Sequence, residues 1–158
     1  MIYYQNSPEI EDPKARKYGC YVRSLLRVPE IYTGRNFNAA ELNKLFNRVL
    51  SLGYAHGDYI VDDPAAIVRE GFLSRSEDRE CYQTARRDLK GVHWWGFAEK
   101  DKGYQRIAFM VLKGQTVNHH SHFRLGDNMG IEIFDPYYPK PLIQYEIYQT
   151  FYWLGEKR

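Results

Sequence analysis

The sequence predicts an α+β domain, with helices first and a mainly antiparallel β-sheet after them. Three observations carry this. Apolar residues recur at helical spacing up to about residue 90. From "VHWWGFA" at residue 92 onward the period becomes two, with aromatic and β-branched residues enriched. Between two of the strand-like runs stands "DNMG", a hairpin-turn signal. A length of 158 residues, 44% of them hydrophobic, fits a single domain over 1–158, with a helical part over about 14–90 and a sheet part over about 91–158.

The first helix begins near Cys20 in "KYGCYVRSLL" and presents Tyr21, Val22, Leu25 and Leu26 on its apolar side. Pro29 disfavours a helical Val28, so the helix is expected to end or kink there. In "NAAELNKLFNRVLSLG", Asn38 is an N-cap and Glu41 completes a capping box. Leu42, Leu45, Phe46, Val49 and Leu50 make one buried stripe, and Gly53 stops the helix. "AHGDYIVDD" reads as a turn and a short extended piece. A further helix in "DPAAIVREGF" is capped by Asp63, opened by Pro64 and ended by Gly71. The charged run over 74–90 is a solvated helix or a loop. Strands are expected in "YQRIAFMVLKG", "SHFRLG", "IEIFDP" and "LIQYEIYQTFYWLG".

Composition narrows the function classes. The 22 basic and 20 acidic residues nearly cancel, so neither a nucleic-acid stripe nor a membrane-binding patch is expected. No apolar run is long enough to span a bilayer, and the first residues lack a signal-peptide layout, so a cytoplasmic protein is expected. Two cysteines, Cys20 and Cys81, are too few for a disulfide framework.

One of those thiols has partners. A hairpin centred on Asn128 and Met129 pairs Gly126 with Ile131, Phe123 with Phe134 and His122 with Asp135. Directly opposed side chains have Cβ atoms about 4.5–5.5 Å apart, which suits an imidazole N–H bonded to a carboxylate. Such a pair fixes the tautomer and stabilises the imidazolium. Cys20, at a helix N-terminus behind Gly19, feels the positive end of the helix dipole. A Cys20, His122, Asp135 set is the chemistry of nucleophilic acyl transfer.

In order and setting these residues resemble the papain-like cysteine peptidases, above all the compact bacterial branch that includes the bacteriocin-leader peptidases. "YGCYVRSLL" resembles the nucleophile helix, "SHFRLGD" the strand that begins with the catalytic histidine, and "IFDPYYP" the next strand, ending in Asp-Pro. The resemblance implies a papain-like fold and cleavage of a peptide or amide bond through a thioester, with no cofactor or metal. The implied substrate is a peptide or the peptide part of peptidoglycan. It also implies that "YYQN" supplies an oxyanion-hole glutamine, Gln5, which lies 15 residues before Cys20. Tyr21 departs from the small residue often found after the cysteine, and with Trp94 and Trp95 it is a candidate for substrate binding.

Plainer readings stand beside these. Cys20 is also a good core residue, Asp135 also caps turns before proline, Gln5 is also an ordinary surface residue, and paired tryptophans also build core. His120, which faces Tyr137 in the same register, is the rival base. The alternative functions are an inactive papain-like binding module and a metal-binding protein built on His119, His120 and His122.

Overall fold

The computed structural model of the chain describes residues 1–75, 109–118, 121–127 and 129–150. Cys81, His93, Trp94, Trp95, His119 and His120, with the expectations placed on them, lie outside the described residues. The described part has mixed α+β architecture in the expected order. Helices α1 (Pro13–Tyr18), α2 (Cys20–Thr33), α3 (Ala39–Ser51) and α4 (Pro64–Leu73) come first, with a small hairpin of β1 (Ala55–His56) and β2 (Ile60–Val61) between α3 and α4. Strands β3 (Phe109–Gln115), β4 (His122–Asp127), β5 (Glu132–Phe134) and β6 (Tyr145–Thr150) form an antiparallel sheet in the order β5-β4-β3-β6. None of the described helices is long and apolar enough to cross a membrane.

The α3 signals act as read. The Asn38 carboxamide accepts from Glu41 N at 2.8 Å, Glu41 Oε1 accepts from Asn38 N at 3.0 Å, and Gly53 follows the helix at φ +75°. Two other expectations are corrected. Helix α2 does not end before Pro29, which lies inside it, and Gly71 does not end α4, which runs on to Leu73. One contact links both exceptions. A Cβ on Gly71 would stand 2.7 Å from Pro29 Cγ and 3.2 Å from Leu26 Cδ2. Gly71 therefore lets α4 lie close against α2, and Pro29 fills the space.

Helix α2 is the axis of the fold, packed against both α4 and β4. Val22, Leu25 and Leu26 meet Leu42, Phe46 and Val49 of α3, Ile67 and Phe72 of α4, and Val111, Leu125 and Phe134 of the sheet in one core. A buried ion pair that was not anticipated runs through it. Arg23 and Glu30 are 0% and 1% exposed and meet at 2.8 Å. Arg23 Nε donates to Tyr3 O at 2.8 Å, and Glu30 Oε2 accepts from Phe37 N at 2.7 Å. The pair thereby ties the N-terminal segment and the α2–α3 loop to the central helix. Burial pulls the Arg23 pKa down and Glu30 opposes it, the usual balance for a desolvated ion pair.

Candidate active site

The site begins at the junction of α1 and α2. Gly19 N donates to Ala15 O at 2.8 Å and closes α1. Its φ of −80° suits any residue, so dihedral freedom is not the reason for glycine here. Space is: a Cβ would lie 2.4 Å from Ala15 O and 3.0 Å from Phe46 Cε1. Because the chain turns this tightly, Cys20 becomes the first residue of α2, where backbone N–H groups have no intrahelical partner and the helix dipole is positive. Its side chain is buried, at 8% exposure.

His122 opens β4 and is 2% exposed. Its Nε2 bonds Asp135 Oδ1 at 2.9 Å, and that oxygen also accepts from Tyr137 N at 3.0 Å. The Cys20 thiol is the second hydrogen-bond partner of the ring. Burial disfavours the imidazolium, but the hydrogen bonds to Asp135 and Cys20, with the charges of both, outweigh it and raise the His122 pKa to about 9. Three side chains far apart in sequence thus form one buried chain, Cys20 to His122 to Asp135.

The route by which Asp135 reaches His122 differs from the expected one. The turn holds three residues between Asp127 and Ile131, with Asp127 Oδ1 accepting from Met129 N and Ile131 N, and Gly130 at φ +78°. That moves the register by one, so Gly126 faces Glu132 rather than Ile131. A bulge then moves it by one more, so Leu125, not Phe123, faces Phe134. Residues two apart on a strand share a face. The two single steps therefore restore the original parity, and Asp135, just past the end of β5, remains within reach of His122 as a diagonal neighbour.

Cys20 and His122 line a cleft of about 400 Å³ together with Gln5, Tyr18, Tyr21, Tyr59, Ile60, Val61, Phe123 and Tyr137. Gln5 is not a surface residue, being 1% exposed. Its backbone N–H donates to Pro136 O at 2.8 Å, which fastens it to the residue after Asp135, and its Nε2 donates to Arg16 O at 3.2 Å. Gln5 Oε1 and Asp135 Oδ2 are buried and have no hydrogen bond among the described residues.

Tyr21 is buried and packs its ring against that of Phe123, with centroids 4.4 Å apart and planes inclined by 40°. Each is the residue next to a member of the Cys20–His122 pair. With the hydrogen bond from Ser24 Oγ to Phe123 O at 3.3 Å, this ring contact ties α2 to β4 beside the thiol and the imidazole. Arg124, the polar residue on the histidine strand, is buried and bonds Glu132 at 3.3 Å and Glu146 at 2.5 Å. It reaches β6 over Gly114, where a side chain would crowd its guanidinium.

No group of three or more histidine, cysteine or acidic side chains among the described residues stands close enough to hold a metal ion. Sequence reasoning missed the contribution of the β1–β2 hairpin to the cleft, and also α1, whose Tyr18 lines the cleft and which ends in the turn before Cys20. The signal for α1 was present, since Asp12-Pro13 is a helix-opening pair and Asp12 accepts from Lys14 N at 2.9 Å.

Comparison with curated proteins and with solved structures gives no match. A family model does match residues 2–127, a span that contains Gln5, Cys20 and His122 and stops short of Asp135. Since that span is most of the chain, the protein belongs to the family described as "Protein of unknown function, DUF261".

Proposed function

We propose that this protein is a papain-like cysteine-dependent hydrolase that cleaves a peptide or amide bond. The observation that carries the reading is the hydrogen-bonded run from Cys20 through His122 to Asp135, with Cys20 and His122 facing a cleft large enough for a peptide segment. The Cys20 sulfur attacks the carbonyl carbon while its proton resides on His122, on the nitrogen that Asp135 leaves free. The carbonyl electron pair moves to oxygen, and that oxyanion is held by the Cys20 backbone N–H and by the second N–H of the Gln5 amide. The C–N bond then breaks, His122 gives its proton to the departing amine, and a thioester remains on Cys20. Water, deprotonated by His122, attacks the thioester and releases the acid and the free thiol. Throughout, Asp135 orients the ring and stabilises the imidazolium.

A panel of fluorogenic peptide amides and peptidoglycan stem peptides tests this. Turnover by the wild type that disappears in Cys20→Ala and in His122→Ala supports it. A Cys20→Ser protein that keeps full hydrolytic activity would end it.

A further inference from the structure

The β1–β2 hairpin forms one wall of the cleft, and its tip is held in an unusual backbone state. Tyr59 has φ +60°, a conformation uncommon for a bulky residue. Its surroundings enforce this. The hydroxyl donates to Asp12 Oδ2 at 2.5 Å, the ring meets Phe46 edge-on at 5.4 Å, and the residue is 2% exposed. Asp12 is also the N-cap of α1, the helix that leads into Gly19 and Cys20. The hairpin is thus bolted to the same segment that positions the thiol.

With Tyr59 turned inward, the next residue projects outward. Ile60 is 58% exposed and lines the cleft together with Cys20, His122 and the half-buried Val61. On this wall Asp58, itself a cleft residue, is paired with Lys14 at 3.6 Å and Asp62 with His56 at 2.7 Å, while Lys17 enters the cleft from α1. What this wall offers a ligand is therefore an apolar β-branched surface held still by local strain, a combination that recurs at binding sites.

We propose that Ile60, with Val61, determines specificity in this cleft by receiving a bulky apolar side chain of the peptide substrate beside the bond that Cys20 attacks. The proposal rests on the hydrolase reading, and its test separates the two. N-chloroacetyl-leucine amide and N-chloroacetyl-asparagine amide, which differ little in size, alkylate Cys20 at rates read by peptide mass spectrometry, which resolves Cys20 from Cys81. Iodoacetamide, which has no side chain, reports the reactivity of the thiol itself.

The wild type is expected to favour the leucine reagent by about 10-fold or more, the range expected for apolar side-chain discrimination. Ile60→Asp is expected to bring the leucine-to-asparagine ratio near unity, a quantity from which any change in the reactivity of the thiol itself cancels, and Ile60→Ala to fall between. Thermal melts check that both variants fold, as substitution at an exposed position predicts. Absence of a leucine preference in the wild type, its survival in Ile60→Asp, or failure of both amides to react would overturn the proposal. Iodoacetamide reacting with Cys20 no faster than with Cys81 would instead count against the hydrolase reading, and a leucine preference seen alongside it would leave the apolar site standing.

Discussion

Replacing Asp135 with asparagine removes one charge and keeps the shape of the side chain. In the native protein Asp135 Oδ1 accepts from His122 Nε2 at 2.9 Å, and its hydrogen bond is the largest of the effects that raise the His122 pKa from 6.5 to about 9. A rise of that size favours the imidazolium by roughly 3 kcal/mol. Without the carboxylate, burial acts against a weaker opponent, and the His122 midpoint should fall by roughly one to three pH units. Cys20→Ala should lower it by less, because the thiol's hydrogen bond contributes less than that of Asp135.

The same shift predicts a stability profile. The folded-state pKa lies above the unfolded one, so the contribution is complete below about pH 6.5 and is lost as the pH rises through about 9. Asp135→Asn should flatten that part of the curve. NMR titration of the His122 ring protons and urea unfolding across this pH range are the assays. A wild-type His122 that titrates near 6.5, or an Asp135→Asn protein that titrates with the wild type, would refute the assignment of Asp135 as the group that holds the imidazolium.

Gly19→Ala places a methyl 2.4 Å from Ala15 O, so it should cost about 1–3 kcal/mol in urea unfolding and also slow alkylation of Cys20; a neutral result contradicts the spatial reading of Gly19. Glu30→Ala leaves Arg23 buried without its carboxylate and should destabilise by about 3–5 kcal/mol, whereas a loss under 1 kcal/mol would show that the α2 ion pair is not structural. Gln5→Ala should lower kcat by about 100-fold or more with KM little changed, as loss of an oxyanion donor does, and a change confined to KM would move Gln5 from catalysis to binding.

The parts of the fold that were legible are those fixed by neighbouring residues. The capping box of α3 is a local matter and sequence shows it, as it shows that a turn stands at "DNMG", though not that three residues make the turn with Gly130 at positive φ. The misreadings at Pro29 and Gly71 share a different origin. Each residue breaks helices when considered alone, but here each is half of a contact between α2 and α4 that local reasoning does not contain. The Cys20, His122 and Asp135 set was legible because His122 and Asp135 share one hairpin, and it survived a wrong register because the two errors preserved parity.

The β1–β2 wall was not legible, since its place beside Cys20 depends on the Tyr59 bond to Asp12, 47 residues earlier. Arg23 and Glu30 left a visible trace, as two opposite charges two helical turns apart with Arg27 one turn from each.

The proposed hydrolysis depends on activation of Cys20 by His122. Its most direct test is the rate of iodoacetamide labelling of Cys20 at pH 6 to 7, with Cys81 as the internal reference and peptide mass spectrometry resolving the two sites. Cys20 is expected to be labelled much faster than Cys81, and His122→Ala to abolish the difference. Equal, slow labelling of both thiols in the wild type would contradict it.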